Sequence, residues 1–206
     1  MKKFGLWLFV LFSICEIAYA KVQLPEILNG NMVLQQNTLV KLWGKATFNT
    51  RITVHTSWSN KRYTAQSDAS GSWMVLIETP KADYTPRYID ISDGETVRIN
   101  NVLIGEVWFC SGQSNMEMPL GGFLDASTQG GNESIATANL KKGIRVATIK
   151  RAGAHVPQEM CVGSWKVCNT ENAPQFSAAG FYFAERLNQI LDVPIGIINC
   201  SWGGSC

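Results

Sequence analysis

"GEVWFCSGQSNMEM", residues 105–118, is an apolar run that stops abruptly at small and polar residues around Ser114. Val107-Trp108-Phe109-Cys110 has the unbroken apolarity of a strand buried on both faces of a parallel sheet. In α/β folds, functional groups gather where such strands end, because loops leave the sheet there and helix N-termini present free N–H groups. Gly112 permits a tight turn. A serine opening the next helix would expose its hydroxyl while its own N–H faces a developing oxyanion. Gly-x-Ser alone is common, however, and taken by itself it reads as an ordinary cap or turn serine.

Downstream, "IRVATI", residues 144–149, is a second candidate strand. Ser177 can cap a helix whose apolar positions Phe183, Leu187, Ile190 and Leu191 repeat with helical spacing. Asp192-Val193-Pro194 ends that helix before a strand from Ile195 to Cys200. Strand, helix and strand predict an α/β layer over residues 105–206. It would be incomplete, since such a domain usually needs about 100 to 200 residues.

Upstream, the character changes near residue 100. Residues 21–104 hold short runs of period-two alternation, such as Arg51-Ile52-Thr53-Val54-His55. Asn29-Gly30-Asn31, Asp68-Ala69-Ser70-Gly71 and Lys81-Ala82-Asp83 break them with turn chemistry. Short strands at this spacing, without helical pattern, predict a small β-sandwich.

Lys2 and Lys3 precede an apolar stretch ending in Ala18-Tyr19-Ala20, so residues 1–20 read as a secretory signal peptide. The stretch is short for a membrane span of about 20 apolar residues, and Glu16 interrupts it. The expectation is an exported protein, periplasmic or extracellular, with no membrane span after cleavage. Of 18 lysines and arginines and 16 acids the leader takes two lysines and one glutamate, leaving a formal charge of +1. That balance points to no nucleic-acid or lipid partner. Cys15 lies in the leader, leaving Cys110, Cys161, Cys168, Cys200 and Cys206. Cys161 and Cys168 could pair in an oxidising compartment, but their spacing matches no metal pattern, and neither a metal nor a cofactor is implied. Cys110 and Cys200 each end an apolar run, as small buried hydrophobes do.

"GEVWFCSGQSNMEMPL", with "NGNMVLQQ", "LWGKA", "GSW", "FSAAGFYFAERL" and "PIGIINCSWGGS" in order, resembles the bacterial sialate O-acetylesterases, carbohydrate esterases of the SGNH-hydrolase type. The resemblance implies an N-terminal β-sandwich ahead of, or partly entwined with, an α/β/α (flavodoxin-like) catalytic domain. It implies that Ser114 is a nucleophile for an acetyl ester of sialic acid or a related acetylated glycan. The Ser114 N–H and either Gly203 or Gly204 would then serve the oxyanion, with the Trp-Gly-Gly-Ser loop at the site. Gln113 and Asn115 would hold the nucleophile loop by hydrogen bonds or, alternatively, touch the substrate. Glu117 reads as electrostatic support at a helix start. Trp108 and Trp165 read as core, whereas Trp202 is as compatible with a sugar platform as with packing. A sialic-acid carboxylate would favour an arginine, with Arg145 and Arg151 as candidates.

The family's Gln-Gly-Glu block and its Asp-x-x-His pair do not occur in the sequence. Its two histidines are His55, on a sandwich strand, and His155, in the solvated loop "RAGAHVPQEM", and neither matches the family's base. The first expectation is therefore the amino-terminal part of an esterase, with nucleophile present, base absent and little activity of its own. The alternative is a non-catalytic or degenerate short protein that binds acylated glycans. The unfinished sheet favours the first, since an exposed sheet edge is a liability that evolved proteins cover.

Overall fold

The computed structural model describes residues 21–205; the expected leader, residues 1–20, and Cys206 lie outside the described residues. Six strands come first: β1 (Val33–Gln35), β2 (Leu39–Lys45), β3 (Arg51–Thr56), β4 (Arg62–Gln66), β5 (Ser72–Glu78) and β6 (Asp83–Ser92). Their alternation is the one read from the sequence. In β3, Ile52 and Val54 are buried while Arg51 faces solvent. The β4–β5 turn is built by Asp68, whose Oδ1 accepts the N–H groups of Ser70 at 2.8 Å and Ser72 at 2.9 Å. Gly71 completes it at φ 76°, where a Cβ would stand 2.4 Å from the Ala46 carbonyl oxygen.

Strand β7 (Thr96–Gly112) decides the architecture. Its first half pairs antiparallel with β6, and Leu103–Gly105 pairs parallel with β1. Its last seven residues pair parallel with β10 (Ile195–Ser201). Together with β8 (Ile144–Thr148) and β9 (Trp165–Val167), the strands form one sheet of order β4-β3-β6-β7-β10-β8-β9, with β1 added at β7. A separate β-sandwich is therefore not shown, and the expected division after residue 104 falls inside a hydrogen-bonded strand. Gly105 is what lets the strand run on. A Cβ there would lie 2.0 Å from the Pro194 carbonyl oxygen, whereas the bare glycine allows Glu106 N–H to reach that oxygen at 2.9 Å. The compositional change near residue 100 thus marks a change of strand partners, not a linker.

Strands β2 and β5 form a two-stranded sheet that covers the N-terminal half. Leu42, Trp73, Val75 and Ile77 pack with Ile52, Val54, Ile89, Ile91 and Ile104, in a core that extends to Ala147 and Trp165. Trp165 is core, as expected, and its indole N–H donates to the Ile27 carbonyl at 2.9 Å, satisfying its one buried polar group.

Beyond β7 lie α1 (Ser114–Glu117), α2 (Gly131–Ala136) and α3 (Ala178–Leu191). As the sequence predicts, Ser177 caps α3, accepting the Gly180 N–H at 3.1 Å, and Asp192 ends it in the left-handed region. Leu187 packs against the core as its spacing predicts, but the rest of the buried face differs from the one expected. Ala178, Gly180, Phe181 and Ala184 face the sheet, while Phe183, Ile190 and Leu191 are exposed. Small residues win the inner face because the helix lies close: a Cβ on Gly180 would be 3.3 Å from Ile197 Cγ2.

The apolar run of β7 is not buried on both faces either. Trp108 is 44% exposed and meets Phe183 edge-on at 5.2 Å, and Phe109 is 65% exposed. Cys161 and Cys168 are both free thiols, and Cys200, expected to be buried, is exposed. Strand alternation turns it away from the face that holds Ile197. Among the described residues no helix is long and apolar enough to cross a membrane.

Candidate active site

β7 ends at Gly112, at φ 151°, and Ser114 opens the single turn of α1, with Gln113 as the residue before it. The turn is closed by Glu117 N–H to Gln113 C=O at 3.0 Å and Met118 N–H to Ser114 C=O at 2.9 Å. N–H groups in a first helical turn lack intrahelical acceptors, so those of Ser114 and Asn115 have no partner within the turn. Ser114 is exposed at the carboxyl end of the sheet, as its position in the sequence predicts.

The second component comes from the neighbouring strand end. Ser201 of β10 is in register with Gly112 of β7, so the Trp-Gly-Gly loop leaves the sheet beside the serine turn. Trp202 N–H donates to Gly112 C=O at 2.9 Å. Gln113 Nε2 donates to the Ser205 carbonyl, and Gly203 N–H donates to Glu117 Oε2 at 2.7 Å. A Cβ placed on Gly203 would be 3.5 Å from Ser114 Oγ. Ser114, Gln113, Gly203 and Gly204 are thus brought together over 90 residues of sequence. Asn115 is exposed beside them and makes no side-chain hydrogen bond among the described residues.

This geometry distinguishes the two glycines. The Gly203 N–H is already held by a carboxylate, whereas Gly204, at φ 75°, has nothing within 4 Å of a Cβ position. Glu117 is a latch between the two loops and is paired with Arg151, which follows β8. Of the two arginines considered, Arg151 lies at the site and Arg145 does not. Arg145 is the second residue of β8, towards the other end of the strand, and its guanidinium donates to the Asn101 carbonyl and to Asn101 Oδ1. Burial lowers its pKa to about 10.

Two cavities flank the strand ends. One, of about 830 Å³, lies on the Cys200 side between Trp202, Arg151, Val156 and Met160. The other, of about 310 Å³, lies on the opposite face and includes Glu117 and Asn199. Asn199 was not singled out in the sequence, where a polar residue at an inward position of "PIGIINCS" was the available signal. A third cavity, of about 460 Å³, sits by Trp43 and Trp73 in the N-terminal half.

Among the described residues the Ser114 hydroxyl has no side-chain partner. His55 stands in β3 beside Tyr88, and His155 is exposed in the irregular segment after β8. No group of three or more His, Cys, Asp or Glu side chains is gathered among the described residues.

No protein-family model matches the chain. Over 86% of its length it is 29% identical to the sialate O-acetylesterase of Homo sapiens, and over 98% it is 25% identical to that of Mus musculus. The crystal structure of a carbohydrate acetylesterase from Xanthomonas citri matches 90% of the chain with a TM-score of 0.81 at 34% identity. The chain spans 36% of the human relative, 40% of the mouse relative and 41% of the Xanthomonas chain.

Proposed function

We propose that this chain is the amino-terminal part of an exported carbohydrate O-acetylesterase that removes acetyl groups from sialic acid or a related glycan, with Ser114 as nucleophile. The observation that carries the reading is the convergence of an exposed serine at the end of β7 with the glycine loop at the end of β10. The similarity to sialate and carbohydrate acetylesterases over most of the chain supports it. Residues 105–206 would supply the esterase unit, and the leader-like residues 1–20 would direct export.

In this reading Ser114 Oγ attacks the acetyl carbonyl carbon, and the carbonyl oxygen becomes negative against the Ser114 and Gly204 N–H groups. Each such donor is worth roughly 3 to 4 kcal/mol. Collapse breaks the ester bond, releases the sugar hydroxyl with a proton and leaves acetyl on Ser114, which water then removes. Both steps need a base, and a positioned histidine contributes roughly 10² to 10⁴-fold. None stands at Ser114 among the described residues, and the second reading is a binder of acylated glycans without turnover.

The reading is tested by incubating the chain with p-nitrophenyl acetate and mapping acetylated peptides by mass spectrometry. The expected adduct is on Ser114, persists because deacylation also lacks its base, and disappears in Ser114→Ala. Acetyl only on lysines or Cys200 would overturn it.

A further inference from the structure

We infer that the 830 Å³ cavity on the Cys200 face of the strand ends binds a medium-chain fatty acid, with the chain on the cavity's apolar wall and the carboxylate at Arg151. The volume falls within the roughly 300 to 1,000 Å³ of small-molecule sites. Much of the wall is segment 150–162, and the segment is anchored at both ends. Lys150 N–H donates to the Val162 carbonyl at 2.8 Å, the Cys161 carbonyl accepts the Glu26 N–H at 3.3 Å, and the Glu159 carbonyl accepts the Trp43 indole N–H at 2.8 Å. Val156, Met160 and Val162 of this segment line the cavity, and β10 and the loop after it add Cys200 and Trp202. All five side chains are exposed. Single exposed apolar residues need no explanation, but five gathered around one concavity leave an apolar surface for a ligand to cover.

Charge selects the head group. The lining residues include Lys150 and Arg151 but no aspartate or glutamate. Glu159, the acid of the segment, pairs with Lys45 at 3.4 Å instead. Arg151 gives one guanidinium nitrogen to Glu117 Oε1, and Glu117 Oε2 is taken by the Gly203 N–H. A guanidinium carries five N–H donors, and the Arg151 side chain is half exposed, so donors remain for a second carboxylate. A cation beside an apolar, acid-free wall matches a ligand with one carboxylate and a hydrocarbon body. A sugar would set hydroxyls against that wall, where an unpaired hydroxyl is costly, and acetate would leave the wall uncovered. The inference goes beyond the esterase reading, since it makes no use of Ser114.

The test is binding of sodium octanoate, methyl octanoate and sodium acetate to the 206-residue chain, read by saturation-transfer NMR and by the rate at which iodoacetamide labels Cys200, which lines the cavity. Octanoate is expected to bind and to slow Cys200 labelling severalfold, and acetate to do neither. Met160→Glu sets an acid on the apolar wall and is expected to weaken octanoate at least about tenfold, a difference of about 1.4 kcal/mol. Should it fail to fold, Val156→Asp, on the same exposed segment, makes the same test. Arg151→Gln is expected to weaken octanoate severalfold and to leave methyl octanoate, which has no charge, unchanged. Absence of octanoate binding, Cys200 labelling unaffected by bound octanoate, octanoate affinity unchanged in the folded wall variant, or equal weakening of acid and methyl ester by Arg151→Gln overturns the site.

Discussion

Glu117 Oε2 accepts the backbone N–H of Gly203 at 2.7 Å, joining the turn after β7 to the loop after β10 across 86 residues of sequence. Glu117→Ala removes the acceptor and the Arg151 partner together, and we expect it to cost about 1 to 3 kcal/mol. Glu117→Gln keeps an acceptor and should cost less. Urea unfolding gives the two values, and amide exchange at Gly203 should accelerate more in the alanine variant. Equal exchange in both variants and the parent would show that the latch does not hold the loop.

With no base at Ser114 among the described residues, the chain alone is expected to hydrolyse p-nitrophenyl acetate at a rate about 10² to 10⁴-fold below a serine esterase with its histidine in place. Steady-state release of p-nitrophenol measures this. Fast multiple turnover that Ser114→Ala abolishes would mean that another group, such as His155, acts as the base.

Gly105→Ala should destabilise the whole fold, because its Cβ would lie 2.0 Å from the Pro194 carbonyl oxygen, with backbone on both sides. Overpacking of this kind costs about 1 to 3 kcal/mol, occasionally more. A thermal unfolding midpoint unchanged from that of the parent chain would contradict the close approach of the Pro194 carbonyl to β7.

The thiols should separate by reactivity. Burial pushes the Cys168 thiol up to about 11 and raises that of Cys110, so both are protonated at pH 8, whereas Cys200 is exposed. Iodoacetamide at pH 8 followed by peptide mapping should label Cys200 first and Cys168 only after unfolding. Labelling of Cys168 as fast as Cys200 would show that the α3 core is open.

Arg98 donates to both carboxylate oxygens of Asp90, at 2.7 and 2.8 Å, and that hydrogen bonding holds the Asp90 carboxyl below its ordinary value. A depressed acid stabilises the fold above its unfolded pKa of about 4 and loses that contribution as pH falls through the folded value. Arg98 is half exposed, so Asp90→Asn is expected to cost no more than about 1 kcal/mol at pH 7. The difference between parent and variant should shrink below about pH 4 in thermal melts. A difference that stays the same at pH 3 would point to packing instead of charge.

Local chemistry made much of this legible from the residues alone. Ser177, Asp192 and the Asp68 turn announce themselves because caps and turns are decided within a few residues. The placement of Ser114 at a strand end followed from the abrupt close of the apolar run. The continuous sheet did not show, because Gly105 reads as punctuation in sequence, while its significance is the Pro194 carbonyl that passes beside it. The buried face of α3 was misread for a similar reason. Hydrophobicity favours Phe183 and Leu191, but close helix–sheet approach sets Ala178, Gly180 and Ala184 around the fully buried Phe181. Latches such as Glu117 to Gly203, and the cavity beside Cys200, depend on which strand ends become neighbours, and no local pattern encodes that.

At about 3.3 Å per residue, β7 traces a path of about 55 Å from the N-terminal layer to the residue two before Ser114. A hinge between the two halves would have to break ladder hydrogen bonds, so they move as one body. It follows that the N-terminal strands are not an exchangeable cassette. Recombination at residue 104 would sever a paired strand and leave each piece with a torn edge, so the N-terminal strands and the turn that presents Ser114 are parts of one block.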